Sequence, residues 1–192
     1  MKRFPTIKGY ADGFSRLKLN GVEWRGVRIT NQDEADDQVP KLLRTEAAKR
    51  FVLYEPALGP VIFAQCWCPD GFPTHIVVPN SLPVRYRQVS GIDWLIVGGE
   101  SGPRARPCNV AWIRSAVEQC RDAGVPCFVK QLGARPVARI SDDMGDEFFR
   151  SWDSFHAGEP FPIGGVTMRL RAQKGCDPSE WPEDLRVREW PR

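Results

Sequence analysis

The sequence predicts an α/β fold on parallel strands, with about four βα units, an irregular insertion and an irregular carboxyl-terminal extension. Three observations carry that prediction. Short apolar runs end in polar residues four times, at Asn31-Gln32, Glu55, Glu100-Ser101 and Lys130-Gln131. Helical patterns follow the first and third runs, and strands alternating with helices argue βα units and a parallel sheet. Trp94-Leu95-Ile96-Val97 is continuously apolar rather than alternating, as a strand buried on both faces requires.

Taken in order, residues 1–21 show no sustained period and are expected to form an irregular lead-in that closes on the turn-like pair Asn20-Gly21. Residues 22–133 are the domain proper, and Trp24 to Thr30 is its first strand. Asp33, Glu34, Asp36 and Asp37 give an acidic first turn that suits the positive end of a helix dipole. Ala35, Val39, Leu42 and Leu43 supply the apolar stripe of that helix. Pro40 interrupts the pattern, so a kink or a break is expected there. Arg50 to Tyr54 is the second strand, stopped by Glu55-Pro56. Residues 57–91, approximately, differ in texture, with Pro60, Pro69, Pro73, Pro79, Pro83 and a short strand-like run at His75 to Val78. They read as an insertion, a small hairpin excursion rather than a helix.

The third strand runs through Val97 to Gly98-Gly99. After it, Asn109 can cap a helix from Val110 to Ala123, with Val110, Ile113, Val117 and Cys120 on one face. Gly124 and Pro126 end that helix. Pro126 to Val129 is the fourth strand. Residues 134–192 form an irregular extension packed on the domain, with a last strand at Val166 to Leu170 and with Trp181 and Trp190 anchoring the tail.

The 192 residues suffice to bury roughly 70% of the unfolded surface. Lysine and arginine number 27 against 24 acidic residues, and this net charge of +3 is too small to argue nucleic-acid binding. No apolar stretch is long enough to span a bilayer, and the basic start Met1-Lys2-Arg3 leads into no signal-peptide core. A cytoplasmic location and no membrane partner are therefore expected. The six cysteines are scattered and are expected to be free thiols. Cys66-Trp67-Cys68 is a CxC with no second pair beside it, so no metal site is expected.

In a (β/α) barrel the polar ends of all four strands converge on one face. Glu55, Glu100 and Lys130 are accordingly the candidate catalytic residues, two carboxylates and a lysine able to do acid–base work where burial shifts their pKa values. The alternative for each is a salt-bridged residue closing the barrel mouth. Asn31, Gln32, Gly98, Gly99, Ser101 and Gln131 are the candidate ligand-binding residues, the glycines because their backbone can come close to a ligand. Arg104 and Arg106, with Arg85 and Arg87 of the insertion, are candidate contacts to phosphates or to a protein partner.

Several of these stretches together resemble a known family. They are Gly26 to Asp36 (GVRITNQDEAD), Arg50 to Pro60 (RFVLYEPALGP) and Trp94 to Pro107 (WLIVGGESGPRARP). Trp112 to Gly133 (WIRSAVEQCRDAGVPCFVKQLG) and Asp177 to Pro191 (DPSEWPEDLRVREWP) complete the set. The chain resembles the carboxyl-terminal half of a bacterial and phage-encoded family of uncharacterised proteins, similar in pattern to radical-SAM enzymes. The resemblance implies a TIM-barrel-like fold, here a parallel-stranded partial (β/α) barrel. Members of that kind carry three closely spaced cysteines followed by Tyr in an amino-terminal half, as an iron–sulfur cluster requires. In this chain no cysteine precedes Cys66 and the spacing is not reproduced, so no iron–sulfur cluster is expected and no other cofactor is indicated. Three functions remain: a phage-associated barrel half with a ligand site at its strand ends, a split enzyme half completed by another chain, or a non-enzymatic phage accessory module binding a host protein or nucleic acid. Four parallel strands of a barrel leave two open edges, to be covered by residues 1–20, the insertion, the tail or a second copy in a homodimer.

Overall fold

The computed structural model describes residues 4–63, 75–77, 86–88, 91–139 and 165–191. Strands β1 (Lys8–Gly9), β2 (Ser15–Leu19) and β3 (Val22–Ile29) form an antiparallel meander. Asn20 and Gly21 join β2 to β3, both with positive φ (51° and 81°), the backbone a tight two-residue hairpin needs. Residues 15–19 are thus a strand where an irregular lead-in was expected. Five residues are too few to show a period, and what fixes β2 is its partner: Leu17 lies opposite Trp24, and both are buried.

Helix α1 (Gln32–Arg44) follows β3. Asn31 caps it, its Oδ1 accepting from Glu34 N at 3.0 Å, while Glu34 Oε2 accepts from Thr30 N at 2.8 Å, a reciprocal pair akin to a capping box. The helix continues through Pro40, so the expected break does not occur. Pro40 cannot donate to the carbonyl of Asp36, but Asp36 is on the exposed side, where solvent is able to take the place of the lost bond.

Strand β4 (Arg50–Tyr54) comes next, and its continuation has a cis Glu55–Pro56 peptide. Strands β5 (His75–Val77) and β6 (Tyr86–Gln88) pair antiparallel within the expected insertion, and Cys66, Cys68, Arg85 and most of that segment lie outside the described residues. Strand β7 (Trp94–Gly98), the two-residue β8 (Cys108–Asn109), helix α2 (Val110–Ala123) and strand β9 (Cys127–Gln131) follow. Asn109 Oδ1 accepts from Ala111 N at 3.0 Å, and Gly124 terminates α2 in the left-handed region. Strands β10 (Pro136–Arg139) and β11 (Gly165–Thr167) join β8 in a second, three-stranded sheet.

The fold is mixed α/β, with a main sheet in the order β1-β2-β3-β4-β7-β9 and all pairings from β3 to β9 parallel. Both faces of the parallel strands are buried, which explains their unbroken apolar runs. Val52, Tyr54, Leu95, Val97 and Val129 pack with both helices on one face. Phe51, Leu53, Trp94, Ile96 and Phe128 face the other way, with Leu17 and Trp24. That second face is aromatic and is covered by the two ends of the chain. The ring centroid of Phe4 lies 5.0 Å from that of Phe128, and Trp190 lies 5.5 Å from Trp94 and 5.3 Å from Phe128. Trp181 is buried in the helix-side core with its indole donating to Gly175 O at 3.0 Å.

The parallel strands have no open lateral edge among the described residues. Strand β2 occupies the outer side of β3. The tail occupies that of β9, where Val129 N donates to Val187 O and Glu189 N to Cys127 O, each at 2.8 Å. No helix of the described residues is long and apolar enough to cross a membrane.

Candidate functional site

The carboxyl end of the sheet is organised by a bulge. Val97 is in register with Val129, but the next residue, Gly98, is in register with Gln131, so Lys130 is the extra residue on β9. Neighbours on a regular strand point to opposite faces; a bulge re-aims one of them. Lys130 and Gln131 therefore both reach Glu55 at the end of β4. Lys130 Nζ donates to Glu55 Oε2 at 2.8 Å, and Gln131 Nε2 donates to Glu55 Oε1 at 2.9 Å. The Gln131 amide also donates to Gly99 O at 3.1 Å.

These bonds cross over β7, the strand between β4 and β9, at the place where its side chains disappear. A Cβ on Gly98 would lie 3.0 Å from Gln131 O and 3.3 Å from Gln131 Cγ. A Cβ on Gly99 would lie 2.3 Å from Leu132 O, closer than any real contact. The two glycines thus serve the close approach of β7 to the segment after β9. The Glu55 side chain is 10% exposed and that of Lys130 38%. The result is a sequestered carboxylate holding an accessible ammonium, whose remaining N–H groups can meet a carboxylate, phosphate or carbonyl oxygen. Lys130 Nζ lies 5.8 Å from the ring centroid of Phe4.

Glu100 does not join this cluster. Its Oε2 accepts from Arg106 N at 2.9 Å and Arg106 Nε at 2.8 Å, and its Oε1 accepts from Arg106 Nη2 at 3.2 Å. These bonds close the loop 100–106 on itself. The Arg106 guanidinium holds the Glu100 carboxyl below its ordinary range, which opposes a role as a proton donor near neutral pH. Arg106 is thereby engaged, while Arg104 and Ser101 are exposed. Asn31 is the cap of α1. Gln32 spans from that helix to the segment after β4, donating to Asp36 Oδ1 at 2.7 Å and accepting from Ile62 N at 2.6 Å. Of the expected constellation, then, Glu55, Lys130, Gln131, Gly98 and Gly99 come together, while Glu100 pairs with Arg106 and Asn31 and Gln32 organise the start of α1.

Sequence reasoning missed the Glu100–Arg106 pair. An acid and a base six residues apart around Gly102-Pro103 were the available signal, and only the loop conformation turns that spacing into contact. Among the described residues, no three His, Cys, Asp or Glu side chains gather into a metal-binding group. Cys108, Cys120, Cys127 and Cys176 form no disulfides.

No curated protein and no solved structure matches this chain. A family model described as "Protein of unknown function (DUF5131)" matches residues 2–162, which is well over half of the sequence. The chain belongs to the DUF5131 family.

Proposed function

We propose that this protein is a phage-associated, radical-SAM-like partial (β/α) barrel that binds a small ligand at the carboxyl ends of its parallel strands without cluster chemistry of its own. Two features support the barrel reading. Each parallel strand neighbours the next one along the chain, as in a singly wound barrel, and α1 and α2 pack on a single face of the sheet. The observation that carries the site is the convergence of Lys130 and Gln131 on Glu55 through the bulge in β9. In this reading Lys130 contacts the ligand, Glu55 and Gln131 position it, and Glu100 shapes the rim through Arg106.

The covered flanks of β3 and β9 favour this reading over a barrel completed by a second copy or by a separate amino-terminal half, either of which would need a free strand edge. The pairing of Arg106 with Glu100 likewise disfavours a phosphate-binding arginine loop, and with it the nucleic-acid accessory module.

The test is calorimetric titration with S-adenosylmethionine, the probe that the radical-SAM resemblance suggests. Binding to the wild type that weakens at least about tenfold in Lys130→Met, with the fold retained by circular dichroism, supports the site. Equal affinity in both proteins, or none in the wild type, defeats it.

A further inference from the structure

A polar concavity lies at the opposite edge of the sheet from the Glu55–Lys130 cluster. A cavity of about 650 Å³ opens at the amino ends of the parallel strands, where Lys49 precedes β4, Asp93 precedes β7 and the end of α2 leads into β9. Its volume is that of a small-molecule site. The cavity wall includes Lys49, Asp93, Arg121, Gly124, Glu189 and Trp190, so two cations and two carboxylates face one space beside an indole ring.

The four charges are not equally satisfied. Asp93 Oδ1 accepts from Lys49 Nζ at 2.7 Å and Oδ2 accepts from Arg50 N at 2.9 Å, so this pair is closed. Glu189 Oε2 accepts from Cys127 N at 2.9 Å, and its Oε1 has no hydrogen bond among the described residues. Arg121 forms no ion pair among the described residues, although Glu189 lines the same cavity. A cation and a carboxylate oxygen are thus held apart across a common space. The carboxyl end of α2, at Gly124, adds the negative pole of a helix to the same wall, in the turn that carries Arg121.

Arg121 and Glu189 are both exposed residues, and a ligand of a single charge would engage only one of them. A ligand with one charge of each sign would satisfy both, its anion on Arg121 and its cation on Glu189, with a flat apolar group against Trp190. We propose that this cavity is a binding site for a small zwitterion that carries an aromatic ring, an aromatic amino acid in chemical class. None of Glu55, Lys130 and Gln131 lines this cavity, so it is distinct from the candidate site at the carboxyl ends of the strands.

The experiment is titration of the full chain with L-phenylalanine, N-acetyl-L-phenylalanine and L-phenylalaninamide, followed by saturation-transfer NMR on the ligand ring. Phenylalanine should bind, and blocking its ammonium or its carboxylate should weaken binding about tenfold or more. Arg121→Ala, a change at an exposed helix position, should weaken phenylalanine by a similar factor while leaving phenylalaninamide unchanged. Equal affinity for all three compounds, an Arg121→Ala protein that binds phenylalanine like the wild type, or no binding of phenylalanine would each overturn the proposal.

Discussion

Glu55 and Gln131, 76 residues apart in sequence, meet at 2.9 Å over a strand that belongs to neither of them. Gly98, on the strand between them, is in register with Gln131 and has no side chain to intervene. The candidate site is therefore a property of three strands and one bulge rather than of any one motif.

Adding a methyl group tests that geometry. Gly99→Ala would drive a Cβ into the Leu132 carbonyl and should cost about 3 kcal/mol or prevent folding. Gly98→Ala meets its nearest neighbour at 3.0 Å and should cost about 1 kcal/mol, with Gln131 displaced. Urea denaturation of both variants would measure the difference. Equal, negligible costs would show that the glycines are not needed for close approach.

The Glu55–Lys130 pair gives an asymmetric prediction. Lys130→Met leaves a nearly buried carboxylate without its cation and should destabilise by about 1–3 kcal/mol. Glu55→Gln leaves only an ammonium that is already partly in water, so it should cost less. Combining the two changes should cost less than their sum, and a double-mutant cycle in denaturant reads the coupling.

The Glu100–Arg106 pair predicts a pH dependence. Arg106 lowers the folded-state pKa of Glu100 from its ordinary 4.5, so the pair's stabilisation is fully present above that value. It is lost as pH falls through the lowered folded value. With side chains 30% and 48% exposed, solvent screening limits the effect to under about 1 kcal/mol. The stability difference between wild type and Glu100→Gln should be constant from neutral pH to about pH 5 and shrink in more acidic buffer. A difference that grows on acidification would contradict the assigned pair.

Thiol labelling should be strongly selective among the described cysteines. Cys176 is exposed, whereas Cys108, Cys120 and Cys127 are buried. Burial pushes the Cys108 thiol up to about 12 and raises Cys120 as well, which suppresses the reactive thiolate. Peptide mapping after brief iodoacetamide treatment should find Cys176 modified and these three modified only after denaturation. Labelling of Cys108 in the native protein would place it outside the core.

Local signals made part of this architecture legible. Arg50 to Tyr54 and Trp94 to Gly98 are largely apolar runs followed by proline or glycine, and α2 has its cap at Asn109 directly before it and its stop at Gly124 directly after it. Strand β2 was hidden because five residues make a strand only against β3. The second sheet was hidden because β8 is two residues long and pairs with β10 across the whole of α2 and β9. At the site, Glu55 and Lys130 were legible as polar ends of apolar strands. The bulge that brings Gln131 beside them was not, since a register shift exists only between two strands. The partner of Glu100 was hidden for the converse reason: Glu100 stands at a strand end after β7, but Arg106 comes from its own loop.

The pairing of residues 187–189 with β9 also sets an order of events during synthesis. The strand edge at Cys127 to Val129 is made some sixty residues before the segment that covers it leaves the ribosome. Until then the nascent sheet presents an unsatisfied row of backbone donors and acceptors, and Trp94 and Phe128 lack the indole of Trp190 that later packs on them. Closure of the β9 edge thus waits for residues 187–189 and not merely for the sheet strands themselves.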